Sequence, residues 1–422
     1  MTTPVARHGI DVAAVRDHFP ALSRTEDGRP IAFLDGPAGT QLPRECVDGM
    51  VDYIRTSQAN HGGAFSTSRA SDALVAEARA AAADFLGAPE PDEVVFGPNM
   101  TTITFGLSRA VARELHEGDE IVLSRMEHDA NVAPWLAIAE ERSLVVRWLE
   151  VDGEDCTLAL DRLESVIGPR TRLVAVGLAS NAVGTVNDVA RVIAAAHGYG
   201  ALAFVDAVHA APHMAIDVIA LDADFLVCSP YKFFAPHLGL LYGRRELLER
   251  LPAYRVRPAG DQPPGKWETG TPQLEGIAGL LGTFDYLASL GRAYGGASSD
   301  STRRESLRAA MRAIVEYERG LVGPLVEGLL ALPGARVLGI TEPTRFDARV
   351  PTVALTLAGH DPHEVARHLA SRAINVWDGD MYAVELMRAL GLGDEGVVRI
   401  GLVHYNTADE VARVLAALDE LV

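Results

Sequence analysis

The chain has 422 residues, 48% hydrophobic and 23% charged, with a formal net charge of −19. That length is too great for one simple core and predicts a large and a small domain. The acidic balance argues against nucleic acid and anionic membrane, which need a basic face, but leaves room for a small anionic cofactor in a local positive pocket. Cys46, Cys156 and Cys228 stand far apart in no metal-ligand spacing, so neither a metal site nor a disulfide framework is expected, and a reducing cytoplasm is the default. The N-terminus has no apolar signal core, and no run approaches the ~18 apolar residues of a membrane span.

In chain order, Asp11 to Phe19 reads as a short amphipathic helix, Ile31–Leu34 as a strand, and Asp35–Pro43 as a loop rich in turn residues. Arg44–Ser57 has helical periodicity, Asn60–Gly63 is a polar turn, and the alanine-rich Ser71–Leu86 is a helix stopped by Gly87. A strand–helix alternation follows. Val94–Phe96, Ile121–Leu123, Val145–Leu149, Leu173–Val176, Ala201–Val205, Phe225–Cys228 and Gly239–Tyr242 are the predicted strands, with helices at Ile103–Leu115, through Glu140, Leu160–Ile167 and Val189–His197 between them. This order implies a mostly parallel, doubly wound α/β sheet. Tyr254–Gly276 is a long Pro- and Gly-rich loop, a kind that is usually functional. A helical region from Gly276 to about Leu332 leads to strands at Ala335–Leu338, Thr352–Leu357 and Val397–Leu402 and helices at Pro362–Ser371 and Ala408–Leu418, a smaller α+β C-terminal domain.

Two strands end at chemistry. The run Ala201–Val205 delivers Asp206, and Phe225–Cys228 delivers Ser229, with Lys232 three residues on. Ligands of open α/β sheets bind beyond the carboxyl ends of the strands, which places Asp206 and Lys232 at one rim. A carboxylate and an amine there suit pyridoxal 5′-phosphate (PLP): the lysine forms the Schiff base, and the aspartate keeps the pyridine nitrogen protonated so that the ring draws electrons. A purely structural ion pair fits the same spacing. Pro98–Thr102 opens a helix and reads as a phosphate cradle, or as an ordinary cap. His128, in the turn after Ile121–Leu123, sits where an imidazole could stack on a flat ring, although a lone surface histidine reads the same way. Tyr254–Arg257 is a second-anion site or a solvated basic turn.

The segments MEHDANVAPW, LASNAVGT, FVDAVHAAPH, Ser229–Lys232 and WETGTP, in collinear order from about Phe33 to the C-terminus, resemble the class V aminotransferase superfamily, in its cysteine desulfurase-like and isopenicillin N epimerase-like branch. The resemblance implies a PLP-dependent transferase of fold type I, with residues 1–30 as an N-terminal segment packing with the small domain, 31–285 as the large PLP-binding domain and 286–422 as the small one. It implies a homodimer with shared active sites. Carried over by motif, Lys232, His128 and Asp206 are catalytic. Thr101, Thr102, Asn181, His209, Ser229, Tyr231 and Thr271 join them around the cofactor, with Thr271 reaching the neighbouring subunit's phosphate. Arg399 in VVRIGLVHYN binds the substrate α-carboxylate, its planar fork suiting bidentate recognition. His61 falls near the substrate, or is a solvated turn histidine.

Three departures from the desulfurase pattern matter. The loop that carries the nucleophilic cysteine is Trp377–Ala383 here, without cysteine, and Tyr382 falls nearest its place. Tyr231 stands where a histidine is usual, and His209 replaces a glutamine. Cys228 ends an apolar run and reads as a buried structural thiol. The function expected is β-elimination, a carbon–sulfur lyase reaction on cysteine or a cysteine S-conjugate without an enzyme persulfide. Epimerisation, transamination and decarboxylating deamination are the alternatives. A PLP-binding partner of a sulfur-transfer system, without turnover, is the rival of another class, and the presence of both Lys232 and Arg399 speaks against it.

Overall fold

The computed structural model describes residues 9–393 and 395–422; the first eight residues of the N-terminal segment lie outside them. Seven strands form the larger sheet: β1 (Val94–Gly97), β2 (Glu120–Ser124), β3 (Val145–Leu149), β4 (Thr171–Gly177), β5 (Leu202–Asp206), β6 (Phe225–Cys228) and β7 (Gly239–Gly243). Their order is β1-β7-β6-β5-β4-β2-β3. All pairs are parallel except those of β7, which runs against both β1 and β6.

The two-residue period of a strand divides this sheet between two cores. Val122, Val174, Val176, Val205 and Leu226 enter one, with helices α2 (Ser66–Leu86), α5 (Val189–His197) and α6 (Leu274–Tyr294). Ile121, Leu123, Leu173, Phe204 and Phe225 enter the other, with α3 (Met100–Ala112) and α4 (Ala133–Arg142). Because both faces are covered, the inner strands read as unbroken apolar runs in the sequence.

A four-stranded antiparallel sheet holds β8 (Ala335–Leu338), β9 (Thr352–Leu357), β10 (Trp377–Gly379) and β11 (Val397–Gly401) in the order β8-β9-β11-β10. Val353, Leu355, Val398 and Ile400 pack there against α7 (Arg303–Ala331), α8 (Pro362–Ala370) and α9 (Ala408–Asp419). Residue 285 lies inside α6, which packs against both α1 (Arg44–Thr56) and α7. In the N-terminal segment, Phe19 is buried edge-on among Phe234, Tyr286, His404 and Tyr405, and Arg16 pairs with Glu410 of α9 at 3.0 Å.

Local chemistry moves some boundaries from their predicted places. Helix α2 begins five residues early, at Ser66, in a polar stretch where no apolar period shows. Ser68 Oγ there accepts from the Gly63 N–H and donates to the Asn60 carbonyl, both at 2.7 Å. Helix α3 begins at Met100, three residues early, because Asn99 caps it: its Oδ1 accepts from the Thr102 N–H at 2.8 Å. Strand β10, and the two-residue pairing of Ile374–Asn375 with Ala32–Phe33, are too short to display a period.

Two glycines allow close approaches that shape the rim. A Cβ on Gly239 of β7 would lie 2.5 Å from the carbonyl carbon of Asn99, so only glycine lets the turn before α3 sit against the sheet. A Cβ on Gly401 of β11 would lie 2.0 Å from the Pro37 ring, which seats Pro37 beside Lys232.

Candidate active site

The carboxyl ends of β1, β2, β4, β5 and β6 converge on one cleft, where an open α/β sheet binds its ligand. Lys232, in the turn after β6, and Asp206, the last residue of β5, both line it. Lys232 Nζ donates to the Pro37 carbonyl and lies 4.6 Å from the Tyr231 ring centroid. Burial, reinforced by the charge of Arg399, pushes its amine down to about 7, against the pull of Asp206. Burial likewise raises Asp206 to about 6, although its Oδ1 accepts from the Val208 N–H at 2.9 Å.

Ser229, Thr101 and the turn at Asn99–Met100 form one end of the cleft, where the Met100 N–H points at Ser229 Oγ, 3.4 Å away. His128 forms a wall; its Nδ1 accepts from the Ala130 N–H at 3.0 Å, and burial, then the charges of Lys232 and Arg399, depress it to about 4. A neutral ring with one nitrogen engaged is a suitable stacking surface. Tyr382 already lies parallel to that ring, with centroids 5.4 Å apart and planes 12° apart. Tyr231 lines the cleft and stacks on exposed His237 at 4.7 Å. His209 lines it too and shares a 2.9 Å hydrogen bond with Thr352 Oγ1.

Asn181 links the cleft to the small sheet. Its Nδ2 donates to the Met381 carbonyl and its own carbonyl accepts from Arg399 Nη1, both at 2.8 Å. Asn181 Oδ1 and Arg399 Nε are both buried without a partner among the described residues, a costly state for isolated polar groups that a ligand would relieve. Arg399 is held in β11 between Ala354 and Trp377, and burial brings its guanidinium down to about 10.

Three nominated residues lie elsewhere. Thr102 is one step further round α3, a turn of about 100° per residue, so it faces a separate groove shared with Thr271, Tyr254 and Trp267. The cleft is lined one residue earlier than the carry-over placed it, by Asn99, Met100 and Thr101. Thr271 is exposed and away from its own chain's Lys232 cleft. His61 is exposed in a loop tied down through Asn60, Ser68 and Asp72. Sequence reasoning passed over Glu127, although it adjoins His128. Its oxygens accept from Ser124 Oγ, Asn131 Nδ2 (2.7 Å) and the Gly177 N–H (2.8 Å), and burial raises it to about 7. A carboxylate followed four residues later by asparagine was the available signal. Pro37 and Asn187 were also missed; they enter the cleft only through tertiary packing.

These residues fit PLP. Lys232 has a readily deprotonated amine, Asp206 faces the cleft as a carboxylate for the ring nitrogen, and Ser229 with the capped start of α3 offers donors to a phosphate. Fold and cleft together define a PLP-dependent enzyme of fold type I.

The chain belongs to the class V aminotransferase family, whose profile (aminotransferase class-V) matches residues 32–414; PLP is its cofactor. It is 32% identical to a cysteine desulfurase of Cronobacter sakazakii, over 96% of each chain. It is 33% identical to a probable cysteine desulfurase of Mycolicibacterium paratuberculosis, with 97% of this chain matched, but spans only 58% of that protein's length. Among solved structures, an apo cysteine desulfurase from Thermococcus onnurineus superposes with a TM-score of 0.85 at 28% identity, covering 100% of this chain and 98% of the other. The Escherichia coli cysteine desulfurase CsdA gives 0.82 at 27%, covering 98% of both.

Proposed function

We propose that the protein is a carbon–sulfur lyase that eliminates a thiol from cysteine or a cysteine S-conjugate without carrying sulfur on its own cysteine. The observation that carries this reading is the state of the thiols. Cys46, Cys156 and Cys228 are 0%, 1% and 0% exposed, and none lines the cleft. Burial pushes the first two up to about 11 and Cys228 further upward. A persulfide carrier must be a thiolate within reach of the substrate.

In this reading PLP, when bound, supplies the electron sink for charge developing at Cα. Arg399 holds the substrate carboxylate, which would engage its unpartnered Nε, and Asn181, whose unpartnered Oδ1 can only accept, would stand near the cofactor's ring hydroxyl. Asp206 holds the ring nitrogen, His128 packs on the ring face, and Ser229 and Thr101 hold the phosphate. Lys232 removes the Cα proton, a Cα–Cβ double bond forms as the Cβ–S bond breaks, the sulfur leaves as a thiol after taking up a proton, and water hydrolyses the released enamine to pyruvate and ammonia. Tyr382, 68% exposed, stands over the His128 wall and contacts the substrate side chain. The working unit is a cytoplasmic homodimer in which Thr271 reaches the partner's phosphate, with the large domain at 31–285 and the small one at 286–422.

The test is incubation of the holoenzyme with cysteine, cysteine S-conjugates and D- and L-amino acids, following pyruvate, thiol, sulfide and ammonia. Stoichiometric thiol and pyruvate from an S-conjugate is the expected result. Racemised substrate or a keto acid retaining the side chain would replace the reading with epimerisation or transamination.

A further inference from the structure

Lys232 is a buried amine with a single partner. Among the described residues its Nζ donates one hydrogen bond, to the Pro37 carbonyl, 195 residues away in the chain. The loop that holds Pro37 is stitched on both sides. Along β11, the Gly401 N–H donates to the Leu34 carbonyl at 2.8 Å, and Asp35 forms a parallel bridge with Gly401. Arg399 precedes Gly401 by two residues on that strand. At the lysine turn, the Thr40 N–H and hydroxyl both donate to the Tyr231 carbonyl, at 3.1 and 3.2 Å. Thr40 Oγ1 also accepts from the Phe234 N–H at 2.7 Å. The Pro37 ring fills the space left by the missing side chain of Gly401. A Cβ there would lie 2.0 Å from Cδ and 2.1 Å from Cγ of Pro37, but 3.4 Å from its nitrogen, so the ring alone makes the fit exclusive to glycine.

A buried amine beside a like charge gives up its proton readily, and burial followed by the charge of Arg399 brings Lys232 down to about 7. A carbonyl oxygen acts the other way. Its partial negative charge favours the ammonium form. In the neutral amine it takes one N–H and so fixes where the lone pair points. The charged and titratable groups around Nζ are Asp206 at the end of β5, His209 after it, His128 after β2, Arg399 on β11, Tyr231 in the same turn and Asp35 in the loop. None of these is hydrogen-bonded to it.

We propose that the Pro37 carbonyl is the positioning acceptor for Lys232 whenever that amine is free, and that position 401 is glycine so that the Pro37 ring can hold the carbonyl there. The loop Asp35–Thr40 thereby sets the lysine against the strand that carries Arg399. Pro37 acts through Lys232. Its hold on the amine in the cofactor-free protein stands apart from the reaction; its use in turnover, once a substrate has displaced Lys232 from the cofactor, rests on the function proposed above.

Trace labelling of the cofactor-free protein with acetic anhydride across pH, read at the Lys232 peptide by mass spectrometry, gives the midpoint of the free amine. In Gly401→Ala the added Cβ drives the Pro37 ring away. The midpoint is expected to fall by about one pH unit, tenfold in proton affinity and the scale of one hydrogen bond to a charged group. Gly401→Ala/Pro37→Ala removes Cγ and Cδ of the ring and should bring the midpoint back to the wild-type value. A packing fault that moved Arg399 away would raise the midpoint instead, because that charge holds the amine down. Thr40→Val cuts the side-chain stitch to the lysine turn without touching β11; it should lower the midpoint too, and it decides the matter if Gly401→Ala does not fold. An unchanged or raised midpoint in the deciding variant would overturn the assignment, and so would a fall in Gly401→Ala that the double variant does not reverse. In the loaded protein, deuterium entering Cα of L-alanine in D2O should slow by about tenfold or more in Gly401→Ala, the cost of a misplaced base, with alanine affinity by spectral titration near wild type. Wild-type exchange in that variant would overturn the part in turnover. If the wild type exchanges no Cα proton with any amino acid, the proposed function fails, and the labelling still decides the acceptor.

Discussion

Lys232 carries the sharpest expectation at the scale of single residues. Burial holds its folded-state amine near 7, against 10.5 in the open. Between those values the unfolded chain binds more protons at this site than the folded one, so this residue's contribution to stability rises with pH. Its penalty is full below about pH 7 and relieved toward pH 10.5. Cofactor-free Lys232→Met is therefore expected to melt above the cofactor-free wild type below pH 7, with the gap closing as the pH rises; thermal melts across that range check it. In the loaded protein, borohydride reduction and peptide mass spectrometry should put the phosphopyridoxyl mass on Lys232 alone. Arg399→Ala should weaken binding of an amino-acid carboxylate by on the order of 2–5 kcal/mol, read from spectral titration. Arg399→Lys should recover little of it, because an ammonium lacks the bidentate fork. Tyr382→Ala should raise KM by the worth of an aromatic contact, about 0.5–1.5 kcal/mol, with Tyr382→Phe near wild type.

Elements matter here through where they stop. Five strands of the parallel set, β1, β2, β4, β5 and β6, each deliver a loop from their carboxyl ends to one rim, while the edge strand β3 does not reach it. The antiparallel β7 lies between β1 and β6 and contributes backbone room instead of a side chain: Gly239 lets Asn99 pack against it. Gly239→Ala would force its Cβ against the Asn99 carbonyl carbon, an overpacking expected to cost about 1–3 kcal/mol and to displace the Met100 N–H from the phosphate end of the cleft. A faster loss of cofactor on dilution, together with a lower melting temperature, is the expected pair of results. Substituting half-buried Gly106 of α3, where an added Cβ would meet nothing within 4 Å, supplies the control that should leave cofactor retention unchanged.

For the whole molecule, the three buried thiols set the expectation. Replacing Cys46, Cys156 and Cys228 together by alanine should leave the reaction intact at temperatures where the variant stays folded, with some loss of stability from the vacated core positions. Alkylation and mass spectrometry during turnover should find no persulfide on the wild-type chain. A trapped cysteine persulfide, with activity lost when that cysteine is removed, would return the protein to the desulfurase reaction of its named relatives.

Much of this was legible because it is local. Short apolar runs ending in Asp206 and Ser229, set in a strand–helix alternation, read as buried strands, and ligands of such sheets bind beyond the carboxyl ends. Gly87 stops α2 where predicted, with a left-handed backbone (φ 71°) that glycine adopts without strain. Lys232, Asp206 and Arg399 of β11 were thus nameable as candidate site residues from residue type and collinear motif. What the sequence alone left open depends on side chains brought together across long separations. The turn of Thr102 away from the cleft follows from the phase of α3, set by the Asn99 cap. Pro37 reaches Lys232 across 195 residues because Gly401 leaves room for its ring. Asn181 and Arg399, 218 residues apart, are joined by a hydrogen bond only after two sheets pack. His213 and Glu318 sit in ordinary helical and turn contexts and become a pair only in the folded core, because close packing, and not local pattern, decides which buried polar groups meet.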